Sequence, residues 1–340
     1  MKVSLFDYLL PTELIAQYPE NKRDHSKLLH VDINHQSKPV DYMFYDLPSL
    51  LDKDDVIVLN NTKVIPARLH GKKRSTTAHI ELLILDEIKT NQYNALTKPA
   101  KRVKIGDIID IGDDFHLECI GMGDDGIRQY LFHYEGILME KLAQYGGLPL
   151  PPYIKKSMLD DTRYQTVYAK HYGSSAAPTA GLHFTNEILN TLKSKGIQVI
   201  EITLHVGLGT FKAVTADNIL DHHMHEETYI ISGESAYLLN QAKKLNKRII
   251  SVGTTSLRAL ESNYQDNQFV SGQFQTSIFI YPGYKFKAIN GLITNFHLPK
   301  STLLMLVSAL TDREYMLDCY RYAISKQYRF FSFGDAMLIL

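Results

Sequence analysis

The sequence predicts an α/β main domain with an inserted small antiparallel β-barrel domain. Three observations lead there. The length of 340 residues suits two domains at roughly 100 to 200 residues each. Short β-rich runs crowd the stretch from Asn61 to His133, whereas from Thr185 onward helical and strand patterns alternate. An apolar run, Val56 to Leu59, precedes the β-rich stretch and has the character of a buried strand that could join the later sheet. The expected boundaries are 1–61 plus 150–340 for the discontinuous main domain and 62–149 for the insertion.

Within the insertion the strands are expected at Ile80 to Leu85, Tyr93 to Leu96, Ile108 to Ile111, His116 to Ile120 and Gln129 to His133. Gly112-Asp113-Asp114 and Gly123-Asp124-Asp125-Gly126 supply the positive-φ and side-chain-to-backbone options that tight hairpins require. A short helix over Ile137 to Tyr145 then ends at Gly146 and Gly147, and Pro149, Pro151 and Pro152 forbid its continuation. Beyond it come a helix near Asn186 to Lys195, a strand over Gln198 to Leu204, a helix over Glu234 to Asn246 and a strand over Arg248 to Val252. Ser232 reads as the N-cap of the second helix, whose buried face is expected to carry Leu238, Leu239, Ala242 and Leu245.

Composition narrows the classes. Apolar residues make 44% and charged residues 22%, an ordinary globular balance that argues against disorder. Thirty-seven basic residues cancel thirty-seven acidic ones, so polybasic behaviour is excluded and any nucleic-acid contact must come from local segregation of charge. Two cysteines, Cys119 and Cys319, are too few for a disulfide framework or a thiolate zinc site. The first ten residues lack a signal-peptide core, and the longest apolar stretch, Leu303 to Leu310, falls well short of the ~20 residues of a spanning helix. A cytoplasmic protein, without membrane association, is expected.

Charge is segregated inside the insertion. Lys63 to Lys104 holds ten Lys/Arg against three Asp/Glu, and Ile105 to Glu140 holds one against nine. One outcome is a basic flank built from Lys72, Lys73, Arg74, Lys98, Lys101, Arg102 and Lys104, a natural partner for phosphate backbone. The other is that the halves pair as neighbouring strands and neutralise each other.

Four small-residue segments bearing histidine or arginine occupy the second half. Gly173 to Phe184 contains Thr179, Gly181 and His183, and its small residues allow close approach of a ligand. His205-Val206-Gly207-Leu208-Gly209-Thr210-Phe211 follows a strand, but has no third glycine and so argues weakly for a dinucleotide fold. Gly253-Thr254-Thr255-Ser256-Leu257-Arg258 puts a helix N-terminus after a strand, where amides favour an anion and Arg258 could add a bidentate contact. Asn295-Phe296-His297-Leu298-Pro299-Lys300-Ser301-Thr302 opens an apolar helix, with Ser301 as its N-cap and Asn295 and His297 as the groups with chemistry to offer. The cluster His222 to Glu227 lacks the HExxH spacing of a zinc helix; His225 beside Glu227 is better read as an acid/base pair, and no metal is expected.

These strings, taken together, resemble the S-adenosylmethionine:tRNA ribosyltransferase-isomerase family along nearly the whole chain. The likeness also rests on Phe6-Asp7-Tyr8, Arg23-Asp24 with Ser26-Lys27-Leu28-Leu29, the run from Asn60 to Arg68, and the run from Gly147 to Ile154. Arg163 to Ala169, Tyr281 to Tyr284 and Tyr328 to Met337 complete it. Departures are small: Ser175 stands where the family more often has an aliphatic residue, and Thr228 precedes the usual aromatic at Tyr229.

The resemblance implies a β-barrel inserted in an α/β domain. It also implies transfer and isomerisation of the ribosyl moiety of S-adenosylmethionine onto the 7-aminomethyl group of 7-aminomethyl-7-deazaguanine in tRNA, giving epoxyqueuosine-tRNA, adenine and methionine. S-adenosylmethionine is then a consumed substrate, no separate cofactor is needed, tRNA is the macromolecular partner, and a monomer is expected. The sulfonium acidifies the ribose C5′ protons, so a base is required. His225 with Glu227, or alternatively His183, is the expected pair or group for proton transfer. His205 and His297 stand beside them, and spacing ranks none of the four histidines. Thr254, Thr255 and Arg258 are expected to hold the methionine carboxylate. Thr179, Gly181, Gly207, Gly209, Thr210 and Asn295 are expected around the adenosyl group. A noncatalytic tRNA-binding protein and a metal-dependent hydrolase are the rival classes.

Overall fold

The computed structural model describes residues 1–34, 37–151, 153–155, 160–207, 214, 216–224 and 226–340. They divide into two compact units: Met1–Thr62 with Pro151–His171 and Ala177–Leu340, and Lys63–Leu150 with Tyr172–Ala176.

The first unit is an α/β domain around one nine-stranded mixed sheet. Its centre is parallel: Gln198–His205, Asp55–Asn60, Arg248–Val252 and Gly291–Asn295 lie side by side. Ala336–Ile339 pairs antiparallel with the last of these and parallel with Lys27–Val31, and Val40–Met43 closes that edge. On the other side Glu227–Ile231 and Gly272–Thr276 continue antiparallel. Every residue of Asp55–Asn60 is buried, as a strand covered on both faces requires. Its first residue, the fully buried Asp55, is held by the Arg248 guanidinium on the neighbouring strand at 2.6 and 2.8 Å.

The helix Asn186–Ser194 is capped by Thr185 and buries Ile188, Leu189 and Leu192 among Ile57, Leu59, Ile250 and Ile293 of the sheet. Ser232 caps Gly233–Lys244 and Ser301 caps Thr302–Ala309, both by accepting a first-turn amide as the sequence predicts. The expected inner face of Gly233–Lys244 needs correction. Ser235, Ala236, Leu239 and Ala242 are buried, but Leu245 is 66% exposed because the helix ends one residue earlier and the chain turns outward. Among the described residues no helix is long and apolar enough to cross a membrane.

The second unit is a closed six-stranded antiparallel barrel, in the order Arg68–Lys73, His79–Lys89, Gln92–Lys98, Ile127–Tyr134, Phe115–Met122, Ile108–Gly112, with the last pairing back to the first. Phe115, Leu117 and Cys119 alternate inward along one strand, and Tyr130 inside the barrel bonds Thr97 Oγ1 at 2.9 Å. The closing strand Arg68–Lys73 is absent from the sequence expectation. Gly71 makes the closure possible, since a Cβ there would sit 2.7 Å from the Asp110 carbonyl and from Ile109. Gly146–Gly147, expected only to end a helix, adds a short pairing to Leu69 and Arg68. Tyr172–Ala176 belongs to this unit because Ser174 O accepts Ile65 N and Ser175 Oγ donates to Ile84 O.

Candidate active site

A cavity of about 220 Å³ opens in the α/β unit where its parallel strands end. Val206 follows one strand, Gly253, Thr254 and Thr255 follow the next, and Thr294 and Asn295 finish the third, so three strand ends converge on one space. That is where open α/β sheets hold ligands. Ala177, Pro178, Thr179 and Ala180 form one wall, and His297, Leu298 and Pro299 another.

The helix Thr254–Asn263 starts at this cavity without a side-chain cap. Four other helices of the unit spend a Thr, Ser or Asp side chain on their first amides. Here the N-cap is Gly253 at φ 88°, a conformation costly for a residue with a Cβ. Among the described residues no N-cap side chain accepts from the first-turn amides, which form a ready anion seat at the positive end of the helix.

Among the described residues His297 is the histidine that lines the cavity. Its backbone is clamped at both ends: Tyr8 Oη donates to its carbonyl at 2.5 Å and its amide donates to Tyr320 Oη at 3.1 Å. Nε2 lies 3.1 Å from Thr294 Oγ1, and Nδ1 has no partner among the described residues. Burial pushes the imidazole pKa down to about 3, which keeps the ring neutral.

His183 is as buried as His297 but differently engaged. Asn295 Nδ2 donates to its Nε2 at 3.0 Å, which leaves Nδ1–H to donate to Ser26 Oγ at 2.7 Å. Phe44 stacks on the ring at 5.0 Å. Burial first, then the nearby Arg329 and Arg23 charges, bring its pKa down to about 3. Both nitrogens are occupied, so His183 acts on the cavity through Asn295, whose Oδ1 accepts from Thr179 Oγ1 at 2.9 Å.

The family model described as queuosine biosynthesis protein matches residues 3–339. The chain belongs to this family. One relative, named S-adenosylmethionine:tRNA ribosyltransferase-isomerase, from Staphylococcus haemolyticus, is 54% identical over the full length of both proteins. Among solved structures, an S-adenosylmethionine tRNA ribosyltransferase from Thermotoga maritima is 35% identical, with a TM-score of 0.57, over 99% of this chain and 100% of that one.

In this member of the queuosine biosynthesis family the other expected site residues do not all meet at the cavity. His205 lines a separate groove with Asn61, Lys170, His171 and Glu201, its Nδ1 2.9 Å from Thr62 Oγ1, and burial followed by His171 lowers its pKa. Glu227 is buried and ion-paired with Arg258, which also donates from Nε to Ile278 O at 3.0 Å. Arg258, expected as a substrate contact, is not among the residues lining the cavity, and its guanidinium is buried against the Glu227 carboxylate. Gly181 is buried beside the cavity wall, where a Cβ would lie 2.0 Å from Tyr168 Oη. Gly207 is exposed. His225, Gly209 and Thr210 lie outside the described residues. Among the described residues no three His, Cys, Asp or Glu side chains gather as a metal-ligand set.

Tyr153, Phe331 and Ser332 complete the cavity and were not expected. Tyr153 packs on Phe331 at 4.9 Å and its Oη is 2.6 Å from Ser332 Oγ. Phe331 has φ 71°, uncommon for a bulky side chain. The only sequence signal for them is the pair of motifs Gly147 to Ile154 and Tyr328 to Met337. On the barrel, Lys73 pairs with Asp107 at 2.7 Å and Arg74 with Asp110 at 2.5 Å, so part of the basic flank is neutralised across the closing strands. Lys72, Lys98, Lys101, Arg102 and Lys104 are exposed.

Proposed function

We propose that this chain transfers and isomerises the ribosyl moiety of S-adenosylmethionine to the 7-aminomethyl group of 7-aminomethyl-7-deazaguanine in tRNA. The products are epoxyqueuosine-tRNA, adenine and methionine. The observation that carries this reading is the joining, in one cavity of a queuosine-family chain, of an uncapped helix N-terminus and a neutral imidazole.

The division of labour follows from the chemistry of each group. The amides of Thr254 and Thr255 take the methionine carboxylate. Ala177, Ala180, Val206 and Leu298 supply the small apolar walls against which a nucleoside packs. On this reading Nε2–H donates to Thr294 Oγ1, and the Nδ1 lone pair of His297 takes a C5′ proton next to the sulfonium. A carboxylate bound at the helix terminus would raise the basicity of that imidazole from its value in the empty cavity. Asn295, oriented by His183 and Thr179, offers a fixed amide to the adenosyl group. His225 remains a second candidate for proton transfer, with Glu227 serving mainly to hold Arg258.

On the same reading Lys72, Lys98, Lys101, Arg102 and Lys104 contact tRNA phosphates, S-adenosylmethionine is consumed without a separate cofactor, and the protein works as a cytoplasmic monomer. The test is incubation of purified protein with S-adenosylmethionine and tRNA carrying the 7-aminomethyl base. The tRNA is read by mass spectrometry while adenine is followed in parallel. A mass gain on the base together with adenine release is expected. Binding of that tRNA with neither product would overturn the reading.

A further inference from the structure

Behind His183, outside the reaction cavity, three guanidiniums converge. Arg23, Arg163 and Arg329 line a pocket of about 20 Å³ that shares Ser332 with the reaction cavity. They come from distant parts of the sequence and are aimed by backbone carbonyls: Arg23 donates to Leu182 and Thr162, Arg163 to Asn21 and Glu20, and Arg329 to Tyr18. Glu20 Oε1 lies 3.0 Å from Arg329, and Asp160 is the other acid that Arg23 senses. The buried Asp335 also senses the charge of Arg329 and accepts its backbone amide at 2.7 Å, so three cations face three acids among the described residues. Among the described residues Arg163 Nε is buried without a hydrogen-bond partner, and Arg329 Nη2 has only the ion pair. Burial, and next the charge of Arg163, weaken the hold of Arg23 on its proton, as crowding of like charges requires.

Such a cluster has unmet guanidinium donors, and these call for an oxyanion. The size of the pocket selects which kind. Its volume accommodates about one water-sized group, so it admits a single oxygen and not a whole small molecule. Glu20, Arg23 and Arg329 are also only partly buried, so a large ligand can reach them from outside.

We infer that Arg23, Arg163 and Arg329 seat one backbone phosphate of the RNA next to the nucleotide that enters the reaction cavity. This rests on the proposed tRNA substrate and adds a positioning contact to it. Guanidinium forks suit a phosphodiester, and a phosphate gripped at the shared Ser332 edge would fix the target base against His297. The methionine carboxylate is the competing oxyanion, and the experiment separates the two.

Binding of tRNA carrying the 7-aminomethyl base is measured as a function of salt for wild-type protein, Arg163→Gln, Arg163→Lys and Glu20→Gln. Affinity for S-adenosylmethionine is measured alongside. Arg163→Gln is expected to weaken tRNA binding about tenfold and to flatten the salt slope by about one unit, with S-adenosylmethionine affinity unchanged. Arg163→Lys should keep the slope. Glu20→Gln should tighten tRNA binding about two- to fivefold, a gain that misfolding cannot produce. Unchanged slopes in variants of a wild type that binds and converts the tRNA would overturn this inference alone. Loss of S-adenosylmethionine affinity with an intact RNA slope would also overturn it, in favour of the carboxylate. A wild type that neither binds nor converts the tRNA would overturn both this inference and the proposed function.

Discussion

His183 and His297 sit in neighbouring regions of the same unit, equally buried and equally held neutral, yet they differ in what their nitrogens can still do. The His183 region is closed: Ser26, the ring, Asn295 and Thr179 form an unbroken chain of hydrogen bonds. At the cavity, among the described residues, His297 keeps one nitrogen unengaged and the helix at Thr254 keeps its first amides without a side-chain cap. The difference teaches that burial and a depressed pKa do not by themselves mark a proton-transfer group. What separates the two regions is polar capacity left open toward a space.

Disrupting closed networks should therefore cost stability, and the largest effect is expected at the most buried charge pair. Glu227→Gln leaves the Arg258 cation buried with Nη2 already unpartnered, so a loss of about 3 to 5 kcal/mol in chemical denaturation is expected. A variant of unchanged stability with abolished turnover would move Glu227 to the open, catalytic side of the comparison.

Acid sharpens the contrast next. His183 and His297 have folded pKa values near 3, below the ordinary unfolded value, so the unfolded chain binds more protons between about pH 3 and 6.5. Their contribution to stability is complete above about pH 6.5 and is lost as pH falls, each by about 1.4 kcal/mol per pH unit. Replacing His183 with Gln should reduce that slope by about this amount in denaturation series from neutral pH to pH 5. An unaltered slope would show that His183 is not held neutral by its surroundings.

The smallest effect is expected at the open side. Gly253→Ala forces a Cβ into positive φ at the cavity mouth and should cost about 1 kcal/mol of stability while weakening S-adenosylmethionine binding more than it weakens tRNA binding. Calorimetric titration with each substrate checks this, and an equal loss for both would remove the helix terminus from carboxylate recognition.

The same contrast explains what could be read from the sequence. The central strand Asp55–Asn60 was legible because a parallel strand buried on both faces is written as a continuous apolar run. The caps Ser232 and Ser301 were legible because capping is local chemistry. The barrel strand Arg68–Lys73 was not, since Gly71, Lys72 and Lys73 interrupt the alternation and the glycine serves closure rather than a turn. Nor did proximity in sequence signal the cavity: Tyr153, Thr254, His297 and Phe331 meet only through the sheet, and the charge of Arg258 gave no hint that Glu227 already claims it.

The most direct test of the account is single-turnover adenine release at saturating S-adenosylmethionine and modified tRNA by the wild type, His297→Gln and His183→Gln, with the affinity of each for both substrates measured separately. The account predicts that His297→Gln loses about 10²- to 10⁴-fold in rate with binding largely kept, and that His183→Gln loses far less. A His297→Gln variant with the wild-type rate would contradict it.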